Sequence, residues 1–359
     1  MTQLNELGFY TLAGHSDSPR DAVHEARQAE ELGLGSAFVS ERFNVKDACA
    51  LSGAVGAVTE TIGVATAATN PNTRHPLVTA TFATTMHRMT GGRFALGLGR
   101  GFDPLMNAIG LSPVTWAQLE DLSGILRRLW HGEMVLGHDG PAGKFGYLNQ
   151  EATFDEDIPL VLVALGEKTL ERAGTCMDSV VLHTYFTDET LARSVAAVRR
   201  GAESAGRDPD SVRVWSVLAT IGDHIPEEAR LLKTVGRLAT YLQGYGDLLI
   251  RVNGWDAGDL VRFREDSLVQ GFQGGFDSKA TTAELEHLAE LLPDHWLAAS
   301  ATGSPERCAA RIVDQFDAGA TGVILHGATP DELAPILPAY LAVRPSAVSD
   351  LPANPGWAR

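Results

Sequence analysis

The chain has 359 residues, of which 44% are apolar and 21% charged, and its formal net charge is −16. This composition is typical of a folded globular protein and not of a disordered one. The negative charge argues against binding to nucleic acid or to an anionic membrane surface. The three cysteines form no disulfide or zinc pattern, and neither a signal peptide nor a long apolar run is visible, so we expect a cytoplasmic protein.

Short apolar strands alternate with helical patterns along most of the chain. The predicted strands are residues 7–12, 36–40, 61–68, 93–99, 159–164, 178–183, 213–219 and 321–326. Two similar segments, 18–39 and 304–325, each begin with a serine at a helix N-cap position and a proline after it, and each ends in a strand. Strands alternating with helices in this way favour an α/β fold, a (β/α)8 TIM barrel, over an open doubly wound sheet.

Two stretches interrupt this alternation within an expected single barrel domain over residues 1–345, which a C-terminal tail over 346–359 follows. Residues 134–158 are rich in glycine and indicate a loop or hairpin. Residues 224–300 are too long for one barrel helix and contain several helical patterns. This second insertion fits either a lid over a site or an ordinary helical extension or oligomer contact, and the sequence leaves both open.

Polar residues follow the ends of the predicted strands, which is the pole where a barrel collects its chemistry. The main ones, in chain order, are His15, Glu41, Arg42, Thr69, Asn70, Arg100, Glu167, Lys168, His183 and His326. Each of them alone also has an ordinary structural explanation, such as a turn, a solvated ion pair or a hydrogen-bonded histidine. Only their joint placement at one pole indicates a site.

No other pattern of a known site is present, and the sequence predicts no metal site. The glycines of GLGRG (97–101) do not form a complete dinucleotide fingerprint, and there is no Walker loop, nucleophile elbow or H-E-x-x-H. A barrel without a nucleophile or a metal commonly relies on an organic cofactor. The glycines would let a flat ring approach the backbone, and a helix start near Thr169, together with Lys168, suits a phosphate as well as it suits a plain turn.

The chain resembles the luciferase-like monooxygenase superfamily, and within it the deazaflavin (F420)-dependent branch that includes methylenetetrahydromethanopterin reductase. The segments that carry the resemblance are SAFVSERFN (36–44), TETIGVATAATNPNTRHPLVTA (59–80), MTGGRFALGLGRG (89–101), NAIG (107–110), IPLVLVALGEKTLERAG (158–174) and GATGVILHG (319–327). The resemblance implies a TIM barrel with insertions that binds F420 at its C-terminal pole. It also implies an oxidoreductase that moves a hydride between the deazaflavin and a small organic substrate.

The resemblance further implies which residues bind the cofactor. A non-proline cis peptide bond between Ala67 and Ala68 is expected to back the ring. The other cofactor-binding residues that it implies are Glu41, Thr69 and Asn70 near the ring, Gly99, Arg100, Gly101 and Asn107 beside the ring or its ribityl chain, Ala164, Leu165, Gly166, Glu167 and Lys168 around the phosphate, and His183.

One departure from the relatives affects the expected proton chemistry. Their usual Asp-His pair after the second strand is Glu41-Arg42 here. Glu41 can keep a contact with the cofactor, but an arginine is always protonated and is a poor general acid, so Arg42 is expected to bind or orient an anionic substrate. The candidate catalytic residues are therefore His15, as proton donor, with Glu41 and Arg42.

Two other functions stay open at this point. One is an FMN-dependent monooxygenase of the same superfamily, with FMN in place of F420. The other is a non-catalytic member that binds a flavin or another ligand and has lost its proton donor. The expected partners are a small-molecule substrate and, from the resemblance, a second copy of the chain in a homodimer.

Overall fold

The computed structural model describes residues 2–13, 18–43 and 45–359, and eleven strands lie within this part of the chain. In chain order they are β1 Leu4–Tyr10, β2 Leu34–Val39, β3 Gly63–Thr66, β4 Phe94–Gly99, β5 Val135–Gly140, β6 Gly143–Leu148, β7 Leu160–Val163, β8 Ser179–Val181, β9 Arg213–Gly222, β10 Ala301–Gly303 and β11 Gly322–His326. Eight of them match the eight predicted strands. The first is shifted, because the chain turns after Tyr10 and Leu12 has a positive φ of 53°.

The eight matching strands close into a parallel barrel. Their order around the ring is β1-β2-β3-β4-β7-β8-β9-β11, and β11 pairs back with β1 through Leu7↔Val323 and Phe9↔Leu325. The short strand β10 extends β9 beyond the ring. The predicted (β/α)8 TIM barrel is therefore confirmed.

Helices follow most of the barrel strands, and further helices form the long insertion. In chain order the helices are α1 Asp21–Glu31, α2 Ala48–Ala57, α3 Pro76–Met89, α4 Asp103–Ala108, α5 Trp116–Trp130, α6 Glu167–Cys176, α7 Asp188–Ser204, α8 Glu227–Leu231, α9 Arg237–Asn253, α10 Ala257–Glu265, α11 Ser267–Gly271, α12 Phe276–Lys279, α13 Thr282–Leu291, α14 Asp294–Leu297, α15 Pro305–Asp317, α16 Pro330–Leu333 and α17 Leu337–Val343. A π-helical turn, Leu232–Gly236, joins α8 to α9. Within the described residues, no helix is long and apolar enough to span a membrane.

The two predicted serine caps differ. Ser304 caps α15, and its hydroxyl accepts a hydrogen bond from the backbone N–H of Arg307. The predicted cap at Ser18 is wrong, because α1 begins only at Asp21 with Arg20 at its N-cap position. The Ser18 hydroxyl accepts from the Arg20 N–H instead, in a turn that precedes the helix.

The interior of the barrel is filled unevenly. Large side chains come from β2 and β9, where Phe38 and Trp215 pack edge to face with ring centroids 4.9 Å apart. Strands β3 and β4 contribute only the small side chains of Ala65, Ala67 and Ala95 to the same cluster. The part of the ring formed by β3 and β4 therefore carries little side-chain volume.

Residues 351–357 close the N-terminal pole of the barrel. The guanidinium of Arg213, which is fully buried, donates hydrogen bonds to the carbonyls of Pro352, Asn354 and Trp357, and it lies 4.2 Å over the ring of Trp215. The side-chain amide of Asn354 donates to the carbonyls of Gly92 and Phe94. The segment predicted as a tail is thus packed against the barrel strands.

Both predicted insertions are structured. Residues 135–148 form the antiparallel hairpin β5–β6, and Asp121 on α5 holds it by accepting from the Ala142 N–H at 2.8 Å. Residues 227–297 form seven helices, α8 to α14. Helix α9 brings Arg237, Tyr241 and Tyr245 next to the ends of β1 and β8, at the C-terminal pole.

Candidate active site at the C-terminal pole

The ends of β3 and β4 form a surface of backbone and small side chains, which we call the bare wall; its residues are Ala67, Ala68, Gly97 and Gly99. The peptide bond between Ala67 and Ala68 is cis. The Ala67 N–H donates to the carbonyl of Val39 at 2.8 Å, and the Ala68 carbonyl accepts from the Glu41 N–H at 3.2 Å. These bonds fix the end of β3 against β2.

Each glycine of the 97–101 segment is explained by a different feature of the structure. A Cβ at Gly97 would lie 1.7 Å from the carbonyl oxygen of Thr66, so this glycine permits the close approach of β3 and β4. Gly101 has a φ of 74°, which favours glycine. A Cβ at Gly99 would meet a single atom of the described residues within 4 Å, the methyl group of Ala68 at 2.9 Å. Gly99 is therefore the glycine of this segment that keeps the bare wall free of side chains.

Glu41 is held in an ion-pair network beside the bare wall. Its side chain is 5% exposed, and its two oxygens lie 2.6 and 3.3 Å from the two terminal nitrogens of Arg74. The Thr69 hydroxyl donates to Glu41 Oε2 at 2.8 Å, and Arg74 also pairs with Asp47 at 2.6 Å. With both oxygens engaged, Glu41 is arranged to position the loops after β2 and β3.

Asn70 connects the loops after β3 and β4. It is 6% exposed, and its side-chain amide donates to the carbonyl of Arg100 at 2.9 Å. Its side-chain oxygen accepts from the Asn72 N–H at 2.8 Å and so caps the turn Pro71–Thr73. The turn predicted from Asn70-Pro71 is present, and the asparagine also fixes the neighbouring loop.

The remaining predicted residues on the β4 side are exposed. Arg100 Nε donates to the carbonyl of Val114 at 2.6 Å, and its guanidinium lies 3.6 Å from Asp103. Asn107 is exposed on α4. Their predicted contacts with a ribityl chain stay predictions.

The start of α6 presents free backbone donors at the end of β7. Gly166 occupies the N-cap position without a side-chain cap, and no atom of the described residues lies within 4 Å of a Cβ position built on it. Lys168 is exposed in the first turn, and Ala164 and Leu165 lead into it. Glu167 pairs with Arg200 of α7 at 2.8 Å. An open helix start with a nearby lysine suits a phosphate group.

Opposite the bare wall, the mouth of the barrel is lined by the aromatic wall, which consists of Tyr10, His183, Tyr241, Tyr245 and His326. The Tyr245 hydroxyl lies 2.8 Å from His183 Nε2, and His183 Nδ1 lies 2.9 Å from the carbonyl of Thr184. A carbonyl only accepts, so Nδ1 carries the proton and the neutral ring accepts the Tyr245 hydroxyl proton at Nε2. Burial lowers the pKa of His183 to about 4 and raises the pKa of Tyr245 well above its usual value.

The second half of the aromatic wall adjoins β11 and β1. His326 is 6% exposed, its Nδ1 lies 3.3 Å from the Thr184 hydroxyl, and its ring packs edge to face on Tyr10 at 5.2 Å. Burial, together with nearby cations such as Arg237, holds the pKa of His326 well below its usual range. Both histidines of the aromatic wall are therefore neutral at physiological pH.

A cavity of about 340 Å³ also lies outside the mouth, between residues 71–76, helix α5 and the β5–β6 hairpin. None of its lining residues belongs to the bare wall or to the aromatic wall. The strand ends, where backbone donors, bare backbone and polar aromatic groups converge, are the candidate site.

The structure gathers most predicted site residues around one opening, but not all of them. His15 lies outside the described residues. The sequence does not identify four further residues of the candidate site, which are Tyr10, Arg74, Tyr241 and Tyr245. The two tyrosines of α9 belong to an insertion with no fixed relation to a barrel strand, so no local pattern marks them. Among the described residues, no group of three or more His, Cys, Asp or Glu side chains is arranged to hold a metal ion.

Comparisons with known proteins agree with this architecture. The family model described as luciferase-like monooxygenase matches residues 4–322. The 5,10-methylenetetrahydromethanopterin reductase of Methanolobus tindarius is 29% identical over 317 residues, which are 86% of this chain and 90% of the reductase. The F420-dependent glucose-6-phosphate dehydrogenase of Amycolatopsis mediterranei is 24% identical over 352 residues, 90% of this chain and 93% of that protein.

A solved structure extends the agreement to the fold. The coenzyme F420 dependent tetrahydromethanopterin reductase from Methanopyrus kandleri has a TM-score of 0.75 at 19% identity, covering 94% of this chain and 100% of that one. At this identity the likeness supports the barrel fold alone. Because the family model spans most of the sequence, the chain belongs to the luciferase-like monooxygenase family.

Proposed function

We propose that the protein is an F420-dependent oxidoreductase that transfers a hydride between F420 and a small organic substrate. The observation that carries the proposal is the bare wall: Ala67, Ala68 and Gly99 place no bulky side chain at the strand ends, beside a ring of polar side chains. A flat ring can pack against such a surface, whereas strands with large apolar side chains at these positions would fill the space. Two similar relatives that act with F420 or reduce a pterin support the same assignment.

The residues present fit a deazaflavin cofactor. Ala67, Ala68 and Gly99 would back the ring, and the open start of α6 at Gly166, with Lys168, would hold its phosphate. Bound F420 supplies the carbon that gives or accepts the hydride. Glu41, which Arg74 and Thr69 hold, would keep the loop beneath the ring in place.

The aromatic wall would form the other side of the reaction space. Tyr10 and His183 are partly exposed at the mouth, whereas Tyr241 and Tyr245 come from the long insertion. Their rings would exclude water from a bound substrate, and the Tyr245 hydroxyl and the neutral His183 offer polar contacts to it. The insertion would thus act as part of the substrate-binding surface, in agreement with the lid alternative.

An FMN-dependent monooxygenase is the second candidate, because the description of the matching family names a monooxygenase. A non-catalytic ligand-binding member is the third. The test is a titration of the purified chain with F420 and, separately, with FMN, followed by a panel of aldehydes, ketones, enones and alcohols. We expect F420 to bind at least tenfold more tightly than FMN and at least one compound to be turned over.

Variants locate the cofactor in the same experiment. Gly99→Leu would place a side chain over the bare wall and should abolish F420 binding, and Lys168→Gln should weaken it. Gly146→Leu, at an open position on the hairpin, is the matched control. Tight FMN binding with no F420 binding would overturn the assignment in favour of the monooxygenase, and F420 binding without any turnover would favour the ligand-binding member.

We also infer that the chain works in the cytoplasm as a homodimer. The inference of a dimer depends on the resemblance to its relatives, and the inference of location depends on the three free cysteines, which suit a reducing compartment. Light scattering on the purified chain measures the mass: 38.3 kDa corresponds to one copy, and twice that mass is expected.

A further inference from the structure

The mouth of the barrel holds two cations, Arg42 and Lys46, that form no ion pair with any residue the structure describes. Arg42 and Lys46 face each other as partners in an isolated antiparallel bridge after β2, joined by the Arg42 N–H to the Lys46 carbonyl at 3.0 Å and the reverse bond at 2.9 Å. Side chains directly opposite each other in such a pair lie close together, and like charges at these positions destabilise it. The turn therefore places two positive charges side by side at an energetic cost.

Neither cation has a carboxylate partner within the described part of the chain. Arg42 is exposed and its side chain makes no described ion pair or hydrogen bond, and the Lys46 ammonium donates only to the Thr11 carbonyl, at 3.1 Å. Burial and the neighbouring Arg42 lower the pKa of Lys46 to about 8. The carboxylates after β2, Glu41 and Asp47, are both engaged by Arg74.

The nearby buried carboxylate does not balance these charges. Glu25 of α1 is 7% exposed and accepts from the Leu12 N–H at 2.7 Å. Burial raises its pKa to about 7, so it carries only part of a charge at neutral pH. No ion pair between Glu25 and Lys46 is present among the described residues.

A third cation reaches the same place from the insertion. Arg237 of α9 is 2% exposed, donates from Nη2 to the Ala13 carbonyl at 2.7 Å, and has Nε 3.2 Å from Asp277. Its Nη1 makes no hydrogen bond of ordinary geometry with any residue that the structure describes, although, despite its burial, the nearby Tyr241 and Asp277 side chains raise the pKa of Arg237. The charges of Arg42, Arg237 and Lys46 all act on the His326 ring. A buried guanidinium nitrogen with no acceptor is costly unless a ligand supplies one.

We propose that Arg42, Lys46 and Arg237 form a subsite for an oxyanion, a carboxylate or phosphate group, that the substrate carries. The three cations converge beside the aromatic wall in a chain whose net charge is −16, so the local positive charge is a feature of the mouth and not of the whole surface. A guanidinium presents paired donors that match carboxylate and phosphate oxygens. Assignment to the substrate rests on the proposed function, whereas the oxyanion subsite itself does not.

The test is a calorimetric titration of the full chain with inorganic phosphate and, separately, with acetate at low ionic strength, both without and with saturating F420. We expect a phosphate site that remains available when F420 is bound. Arg42→Gln and Lys46→Gln should each weaken it about tenfold or more, and Arg42→Lys should retain most of the affinity. Arg27→Gln, which removes an exposed arginine on α1, is the matched control and should change nothing. The ratio of phosphate to acetate affinity identifies the oxyanion class.

The outcomes separate this inference from the proposed function. Phosphate affinity that is the same in Arg42→Gln, Lys46→Gln and the unchanged chain would overturn the subsite. If F420 displaces the phosphate and the same two variants weaken the binding of F420, the cations bind the cofactor and the substrate assignment is wrong. If F420 does not bind but Arg42-dependent phosphate binding persists, the proposed function fails and the subsite stands.

Discussion

The hydroxyl of Tyr245 lies 2.8 Å from Nε2 of His183, and this bond joins a helix of the long insertion to the end of a barrel strand. The rings of Tyr241 and Tyr245 both pack edge-on against His183, at 5.0 and 5.1 Å, and they also contact each other at 5.4 Å. The insertion is thereby attached to the mouth through a neutral histidine. The protonation of this histidine has a direct effect on stability.

The first prediction concerns pH. The pKa of His183 is about 4 in the folded chain against 6.5 for an unperturbed histidine. Between these values the unfolded chain binds more protons, so the free energy of unfolding rises as the pH rises from 4 to 6.5 and is fully regained above 6.5. In His183→Gln, the slope of this rise should fall by roughly 1 kcal/mol per pH unit. Urea unfolding at pH 4.5, 5.5 and 7 measures it, and an unchanged slope would contradict the prediction.

The second prediction concerns the ion pair beneath the bare wall. Arg74→Gln leaves the nearly buried carboxylate of Glu41 without its partner, and we expect the free energy of unfolding to fall by about 3 kcal/mol. Arg128→Gln breaks the exposed pair with Glu133 and should cost no more than about 1 kcal/mol. Denaturant unfolding of both variants provides the comparison. Equal losses would mean that burial does not distinguish the two pairs.

A third prediction separates two glycines. Gly97→Ala would bring a methyl group to within 1.7 Å of the Thr66 carbonyl and should prevent β3 and β4 from pairing normally, with a loss of at least about 3 kcal/mol or an insoluble product. Gly124→Ala, on the exposed face of α5 where no described atom lies nearby, should stabilise the chain by about 0.5–1 kcal/mol. Thermal unfolding ranks the two variants. A soluble Gly97→Ala chain with unchanged stability would be inconsistent with the strand spacing described above.

The fourth prediction addresses residues 351–357. Asn354→Ala removes two donated hydrogen bonds, to the Gly92 and Phe94 carbonyls, and one accepted from the Gly356 N–H. We expect a loss of about 2 kcal/mol in the free energy of unfolding, because buried carbonyls are left without donors. Ser349→Ala, whose hydroxyl bonds only to exposed neighbours, should be close to neutral. F420 binding at the opposite pole should be the same in both variants.

A fifth prediction concerns His15, the proposed proton donor, which lies outside the described residues. His15→Asn should reduce the rate of turnover by at least about 100-fold, the contribution typical of a general acid, while F420 affinity stays the same. Steady-state kinetics on a substrate from the panel, together with an F420 titration, give both quantities. Turnover equal to that of the unchanged chain would assign the proton transfer to another group.

The barrel is predictable from the sequence because its signal is local. Each strand is a short apolar run, and each barrel helix follows within a few residues, so strands such as β4 and β11 can be recognised one at a time. The same holds for the loops that follow them, which is why Thr69, Gly99 and Gly166 can be assigned to one pole before any contact is known.

Other parts of the site cannot be predicted in this way because they depend on contacts between distant segments. The Arg74–Glu41 pair spans 33 residues, and the Tyr245–His183 bond spans 62. Spacing alone assigns the cap of α1 to Ser18, although the backbone turns once more before the helix begins at Asp21. Arg213 is a charged residue in the barrel interior, and the carbonyls that explain its burial belong to Asn5 and to residues 352–357, both far from it in sequence.

The pairing of β1 with β11 has a consequence for biosynthesis. Strand β1 is synthesised before the other barrel strands, but its neighbour on one side, residues 322–326, is made more than 300 residues later. During that interval a nascent chain carries an apolar edge whose N–H and carbonyl groups have no partner, which is the kind of surface that associates with other chains. The ring cannot close until β11 has been synthesised, so protection of the β1 edge up to that point should raise the yield of native protein.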